Sequence, residues 1–217
     1  MNNRVKNIIN TFIRFINSLK RPSKRSNVKL LHERGQTIDS FVIREAVTKD
    51  VPSLAALHVK TWNDTYGNGG PSQQIREYQW NELFGDIDRN WFVLIIENKD
   101  GELIGFAKGQ PYNHTDLPEF NGELNKIYLL RDYQRLGLGR KLVGHVAQKL
   151  LDNGVTNMVL FGIPQNPSCL FHEALGGERL HKRGEVFQGG YCWRDLRKLV
   201  TMAGITIIKI AVDKLLS

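Results

Sequence analysis

The chain has 217 residues, of which 41% are hydrophobic and 24% charged, proportions typical of a soluble globular protein with one substantial core. Its formal net charge of +8 equals the charge of residues 1–32, where eight Lys and Arg residues occur without an acid. The remaining body is neutral overall, so its net charge gives no support to nucleic-acid binding. Cys169 and Cys192 are too few for a disulfide framework or a metal-ligand cluster, which favours a reducing, cytoplasmic setting.

Residues 1–20 have apolar side chains at helical spacing, which predicts a basic amphipathic helix. Polar residues interrupt its apolar side chains, so the continuous apolar region of a secretory signal is missing. Residues 21–27 are predicted to be a linker, and residues 1–40 an extension that precedes the main domain. Residues 1–25 could contact an anionic membrane surface or direct the chain to an organelle. The alternative is packing on the body, on a C-terminal helix or on a second subunit. The apolar stripe of residues 205–216 favours this packing, and we expect a monomer or a homodimer.

The patterns along the body predict strands and helices in the order β-α-α-β-β-β-α-β-α-β-β. This order indicates an α+β fold, a mixed sheet with helices packed on it. The predicted strands cover residues 41–47, 91–97, 102–110, 123–130, 157–163, 179–187 and 190–199. The predicted helices cover residues 48–62, 75–84, a segment that follows Gly139 and ends at Asn153, then 166–177 and 203–216.

The segment YQRLGLGRKL, residues 133–142, places Gly137 and Gly139 between a predicted strand and a predicted helix. The first N–H groups of a helix have no internal acceptor, and glycine lets an anion approach them. Two arginines and a lysine add positive charge, so a pyrophosphate is the expected ligand type. A P-loop needs Gly-Lys followed by Ser or Thr, whereas Arg140, Lys141 and Leu142 follow Gly139. A dinucleotide-binding fingerprint needs a small residue where Leu142 stands, so neither pattern fits. Taken alone, the glycines would simply shape a tight turn.

Neighbouring motifs give the turn a family context. Gln134-x-x-Gly137-x-Gly139 is similar to the Gln/Arg-x-x-Gly-x-Gly/Ala signature of the GNAT N-acetyltransferase superfamily. NPSCLFHEALGG resembles the Asn-containing helix of that family, and the segments REAVTKDVPSLAALH and YCWRDL also resemble its members. The resemblance covers residues 41–200. It implies a GNAT-like fold, a central mixed sheet of about six to seven strands flanked by about four helices. Helical extensions would lie at residues 1–40 and 201–217.

The resemblance also implies where acetyl-CoA binds, between splayed parallel strands at residues 123–130 and 157–163. The pantetheine arm would hydrogen-bond the backbone of Ile127 and Leu129, as an added strand would. A backbone N–H near Ile127 or Tyr128 would stabilise the oxyanion. Two later residues would contact the arm, Asn166 by a hydrogen bond and Phe171 by packing, although Asn166 could equally be a plain helix N-cap. The pyrophosphate would bind along Gln134, Arg135, Leu136, Gly137, Leu138, Gly139 and Arg140. No metal is expected.

Acyl transfer to an amine requires the free base, whereas an alkyl ammonium has a pKa of about 10.4. Glu123 lies eleven residues before Gln134, where the general base of this family commonly lies. Strand alternation predicts that Glu123 shares a face with Asn125 and Ile127. A solvated glutamate at a strand end is the alternative. His172 replaces the tyrosine that often protonates the leaving thiolate. It could donate a proton, position the sulfur or simply fill a helix face.

Acceptor specificity in this family usually depends on the loop between the first two helices and on strand ends opposite the cofactor. The candidate substrate residues here are aromatic, and for Trp62 on a helix face core packing is the more common role. No acidic cluster marks a polyamine site, so the acceptor stays open among small amines, amino acids, peptide N-termini and lysine. The candidates are Trp62, Tyr66 and Tyr112, with Asn68, His114 and the loop near Gly189 as further positions.

The sequence therefore favours a cytoplasmic N-acetyltransferase that uses acetyl-CoA and a primary amine by direct attack in a ternary complex. The alternative is a non-catalytic GNAT-fold module that binds CoA. Its basic tail would engage a membrane, nucleic acid or a partner protein.

Overall fold

A computed structural model describes residues 23–164, 166–180 and 186–205. Seven strands form one sheet in the order β1-β2-β3-β4-β5-β7-β6. The strands are β1 (Val42–Glu45), β2 (Phe92–Glu97), β3 (Leu103–Pro111), β4 (Gly122–Leu129), β5 (Met158–Phe161), β6 (Glu178–Leu180) and β7 (Gly190–Trp193). The helices are α1 (Lys24–Glu33), α2 (Val51–Tyr66), α3 (Gln73–Gly85), α4 (Leu138–Asp152), α5 (Cys169–Ala174) and α6 (Leu196–Met202). The α+β class and the predicted order of elements in the body are confirmed.

The mixed sheet contains one parallel pair, β4 beside β5, and every other neighbouring pair is antiparallel. These two strands pair only at Glu123 and Val159. β4 continues to Leu129 without a further partner on that side among the described residues. The two strands therefore meet at one point and leave a gap beyond it, as the resemblance implied.

A helix layer covers each face of the sheet. Successive side chains of a strand point to opposite faces, so alternate residues pack against different helices. Leu94 and Ile96 of β2 belong to the apolar cluster formed with α4, whereas Val93 and Ile95 pack with α2 and α3. α2 begins after Asp50 with Pro52 in its first turn, where proline is tolerated. The α2–α3 face is the one that carries Glu123.

A β-bulge in β4 changes which residues share this face. Lys108 pairs with Lys126 but the next residue, Gly109, pairs with Leu124, so β4 contains one extra residue at that point. The prediction that Glu123 shares a face with Ile127 is therefore wrong. Ile127 packs in the cluster on the α4 face, whereas Tyr128 packs in the opposite cluster.

Two other predictions are corrected at the ends of the domain. Residues 24–27, predicted as linker, begin α1, whose N-cap Ser23 accepts a hydrogen bond from the backbone N–H of Ser26. Residues 196–199, predicted as the end of a strand, begin α6, since Asp195 caps a helix by accepting from the N–H of Arg197.

The predicted helix at residues 1–20 and residues 206–216 of the predicted last helix lie outside the described residues. Across the parts of the chain that are described, every helix is too short or too polar to cross a membrane.

Candidate active site

The turn between β4 and α4 combines buried leucines with exposed arginines. Leu136 and Leu138 have 6% and 1% of their surface exposed, whereas Arg135 and Arg140 are exposed. Gly137 precedes α4 with a left-handed φ of 87°. Arg135 also has a positive φ, 63°, which is strained for a residue with a side chain. The buried Leu136 and Leu138 fix the backbone of the turn. Gly137, which has no side chain, therefore lies directly before the N-terminus of α4.

The open space beside Gly137 fits an anion, and Gly139 contacts a residue of α5. A Cβ added at Gly137 would meet nothing within 4 Å, and a cavity of about 290 Å³ beside it is also lined by Arg140 and Lys141. A Cβ added at Gly139 would lie 3.2 Å from the ring of Phe171. The fold therefore brings the predicted cofactor residues of the turn and of α5 together. Open N–H groups at the positive end of a helix are suited to a pyrophosphate.

The unpaired edge of β4 presents backbone groups to the gap. Leu130 donates its N–H to the carbonyl of Ile104 in β3, so alternation turns the groups of Ile127 and Leu129 away from β3 and toward β5. The side-chain amide of Gln134 donates to the carbonyl oxygen of Leu129 at 2.9 Å. Gln134 thus ties the start of the glycine turn to the end of β4.

Helix α1 supports the same turn from outside, a contact that the sequence prediction missed. Asn27 is 4% exposed, and its side-chain amide donates to the carbonyl oxygens of Arg131 and Gln134 at 2.8 and 2.9 Å. Arg34 adds an ion pair with Asp132 at 2.8 Å. Part of the N-terminal extension therefore belongs structurally to the glycine turn.

Both oxygens of the Glu123 carboxylate accept hydrogen bonds from amides. Gln110 donates to one oxygen at 2.5 Å, and Asn125 donates to the other at 3.0 Å. Each amide is in turn held by a lysine: Lys108 donates to the oxygen of Gln110, and Lys126 to that of Asn125, both at 2.7 Å. A lysine ammonium can only donate, so each amide is forced to turn its NH₂ toward Glu123.

The half-buried Glu123 lies at the single pairing point of β4 and β5. Burial and the charge of Lys126 lower the pKa of Lys108 to about 8. Burial and the charge of Arg76 lower the pKa of Lys126. Lys108 and Lys126 thus act on Glu123 through the two amides that they hold.

The predicted substrate residues Trp62 and Tyr66 lie at the end of α2 on this face. Their rings are 4.5 Å apart, and the guanidinium of Arg76 lies 5.3 Å from the Trp62 ring centroid. The hydroxyl of Tyr66 accepts a hydrogen bond from Asn166 at 3.3 Å. This contact joins a substrate candidate to a predicted cofactor residue, and the side-chain oxygen of Asn166 also accepts a hydrogen bond from the backbone N–H of Ser168 at 2.8 Å.

A family model described as the acetyltransferase (GNAT) family matches residues 53–176. The chain belongs to the GNAT acetyltransferase family. It is 31% identical over 172 residues to the uncharacterised N-acetyltransferase YuaI of Bacillus subtilis, covering 74% of this chain and 96% of that protein. It is also 31% identical over 121 residues to a phosphinothricin N-acetyltransferase of Streptomyces viridochromogenes, covering 53% of this chain and 64% of that relative.

Solved structures agree with this fold. The PaiA N-acetyltransferase of Thermoplasma acidophilum, crystallised with coenzyme A, has a TM-score of 0.55 at 18% identity and covers 70% of this chain and 96% of its own. An acetyltransferase of Thermus thermophilus has a TM-score of 0.56 at 20% identity, covering 71% and 96%. The GNAT fold is therefore confirmed, and family membership makes this chain an acyltransferase.

His172 is buried among aromatic side chains, and its imidazole is neutral at pH 7. It is 4% exposed and packs against Phe171, Tyr191 and Trp193, at ring-centroid distances of 5.4, 5.4 and 6.2 Å. Burial lowers its pKa to about 4, so it is neutral at pH 7 and holds no acidic proton to donate. The structure therefore opposes the hypothesis of a general acid and favours the alternative, a residue that fills a helix face.

Tyr112, predicted to contact the acceptor, is likewise buried. It is 6% exposed, its ring lies 5.8 Å from that of Phe161, and its hydroxyl donates to Asp116 at 2.8 Å. Burial, followed by the hydrogen bond with Asp116, raises its pKa to about 12. Its neighbour His114 and the exposed Asn68 take no part in the hydrogen bonds of Glu123.

Besides Asn27, the sequence reasoning missed four residues of the candidate site: Lys108, Gln110, Lys126 and Arg76. The signal for Lys126 is present in ELNKIYLL, where two consecutive polar residues, Asn125 and Lys126, break the alternation of a strand. Such a break is typical of a bulge. Arg76 carries no local signal, because an arginine on an exposed helix is ordinary.

Proposed function

We propose that this protein transfers an acetyl group from acetyl-CoA to a primary amine by direct attack in a ternary complex. The observation that carries the proposal is the position of Glu123 at the point where β4 and β5 meet, with both carboxylate oxygens held by side-chain amides. GNAT enzymes use acetyl-CoA as their co-substrate. Acetyltransfer from acetyl-CoA to an ammonium group needs a proton acceptor close to the reacting amine.

The donor side follows from the backbone. The pyrophosphate would bind the N–H groups from Arg135 to Arg140, and the pantetheine arm would pair with the free edge at Ile127 and Leu129. The N–H of Ile127 also faces the gap, which makes it a better oxyanion donor than that of Tyr128, since the latter faces β3.

The chemical step requires a neutral amine. Glu123 takes the proton of the ammonium group, directly or through a water, and the freed amine attacks the thioester carbonyl. The C–N bond forms, the C–S bond breaks, and the thiolate of CoA leaves. The second proton that the amine nitrogen loses passes to this thiolate or to solvent. A thiol has a pKa near 8.5, so its thiolate is a fair leaving group without a strong acid beside it.

A screen of amines for release of free CoA thiol from acetyl-CoA tests this function, and phosphinothricin belongs in the first panel because a relative is named for it. Turnover with any amine supports the proposal. Acetyl-CoA binding without thiol release across the panel would favour the non-catalytic alternative.

Two glycines at opposite ends of α4 give a matched test of the donor site. Gly137 and Gly154 have φ of 87° and 78°, and a Cβ at either would meet nothing within 4 Å. Gly137→Ala and Gly154→Ala should each cost about 1 kcal/mol of unfolding free energy. Only Gly137→Ala should raise the KM for acetyl-CoA, by about tenfold. Equal KM values for the two variants would contradict the proposed pyrophosphate site.

A further inference from the structure

Arg76 and Lys126 are basic side chains on the α2–α3 face of the sheet, and neither forms an ion pair among the described residues. No carboxylate among residues 23–164, 166–180 and 186–205 forms an ion pair with Arg76 or Lys126 within 4 Å. Among the described residues, the buried Nε of Arg76 has no hydrogen-bond acceptor, and its Nη1 donates only to the neutral amide of Gln79 at 3.0 Å. Arg76 therefore holds unused donors beside the ring of Trp62.

The two cations are close enough to affect each other. The charge of Arg76 lowers the pKa of Lys126, and burial lowers the pKa of both groups. His58, 2% exposed beneath them, has its pKa lowered to about 3 by burial, then by Arg76 and by Lys126. The neutral His58 and Tyr128 bring no negative charge from below, and Glu123 is the carboxylate whose charge acts on Lys126.

Partly buried cations without an ion-paired carboxylate are costly, and the single charge of Glu123 does not balance two of them, so their grouping indicates a ligand that supplies further negative charge. Building on the acetyltransfer function, we propose that the acceptor is an amine that also carries an anionic oxygen group, a carboxylate or a phosphonate, bound by Arg76 and Lys126. The planar fork of an arginine suits both groups.

The hydrogen bonds that link Lys126 to Glu123 through Asn125 would orient such an acceptor. Lys126 contacts Asn125, and Asn125 contacts the carboxylate that receives the proton. An anionic group held at Lys126 would leave the amine of a short amino acid on the side of Glu123. A polyamine or aminoglycoside brings only positive charge, which Arg76 and Lys126 would repel.

Matched amines test the charge preference directly. The acetylation rates of 2-aminoethylphosphonate and β-alanine are compared with those of ethanolamine and β-alanine amide, and each L-amino acid is compared with its amide. The anionic member of each active pair should have a kcat/KM at least tenfold higher. Preference for the neutral members would overturn the inference while leaving acetyltransfer intact. Absence of turnover with every amine would remove the proposed function and this inference together.

Variants assign the preference to the proposed residue. Arg76→Gln should raise the KM for the best anionic acceptor by about 10- to 100-fold and leave the KM for acetyl-CoA unchanged. Arg76→Lys should recover part of this loss. The control is Arg89→Gln, because Arg89 also lies over aromatic rings but is exposed. An unchanged acceptor KM in Arg76→Gln, with circular dichroism showing an intact fold, would overturn the inference.

Discussion

Gln110 donates its side-chain amide to Glu123 at 2.5 Å, and Asn125 repeats the arrangement on the other carboxylate oxygen. The bulge in β4 makes the second contact possible, because it brings Asn125 and Lys126 to the face that carries Glu123. The site therefore places one carboxylate between two lysine-oriented amides. Its two oxygens are held in position before a substrate arrives, which is the preorganisation that the proposed proton transfer requires.

The first prediction concerns Glu123→Gln, which keeps the shape of the side chain but removes the proton acceptor. We expect kcat/KM for the acceptor to fall about 10²- to 10³-fold at pH 7. The deficit should shrink as pH rises, because the amine then loses its proton to solvent. Steady-state kinetics across pH measure both effects. The exposed Glu119, changed to Gln, serves as the control, and a pH-independent deficit would show that Glu123 does not accept the proton.

The second prediction uses the two buried histidines. The pKa values of His172 and His58 are lowered by burial to about 4 and about 3, below the unfolded value of about 6.5. Between pH 6.5 and 4 the unfolded chain therefore binds protons that the folded chain does not. Each histidine makes the unfolding free energy fall by about 1.4 kcal/mol per pH unit as the solution is acidified, and its stabilising effect is fully present only above pH 6.5.

His172→Phe should remove about 1.4 kcal/mol per pH unit from the total slope, while His58 and His145, whose pKa is also lowered by burial, remain as sources. Urea unfolding between pH 6.5 and 4.5 measures it. Phenylalanine suits a pocket lined by Tyr191 and Trp193, and it removes the Nδ1 of His172, which has no hydrogen-bond partner. We also expect kcat to stay within about threefold of the wild-type value. A large loss of kcat together with an altered pH profile would restore His172 as a general acid.

The fold of the body was predictable because its signals are local. Alternation in WFVLIIE, the turn NKDG and the helical stripe after Gly139 each specify an element within a few residues. The glycine turn was predictable for the same reason. Two shorter signals mark the starts of α1 and α6: Ser23 and Asp195 are ordinary N-cap residues, and each directly precedes its helix.

The remaining parts of the site depend on contacts between distant segments. Asn27 bonds carbonyls more than 100 residues away, and the charge of Arg76 acts on Lys126 only when α3 packs over the sheet. Nothing in the sequence around Asn27 or Arg76 marks either role. His172 shows the opposite case, in which a residue at a family motif position is buried by Tyr191 and Trp193 from a later strand.

The third prediction concerns the support that α1 gives to the glycine turn. Asn27→Ala removes two hydrogen bonds to the carbonyls of Arg131 and Gln134 and leaves both acceptors without those donors. We expect a loss of about 1–3 kcal/mol in unfolding free energy. We also expect a three- to tenfold rise in the KM for acetyl-CoA, because Gln134 begins the segment that would bind the pyrophosphate.

Urea unfolding and steady-state kinetics with acetyl-CoA as the varied substrate measure the two effects separately. Lys29→Ala is the matched control on the same helix, since the Lys29 side chain is 79% exposed and pairs only with Glu33. It should change neither quantity. If Asn27→Ala lowers stability while the KM for acetyl-CoA stays at the wild-type value, α1 stabilises the domain without shaping the donor site. A raised KM at a temperature where the variant is fully folded would instead make α1 a working part of the acetyl-CoA site.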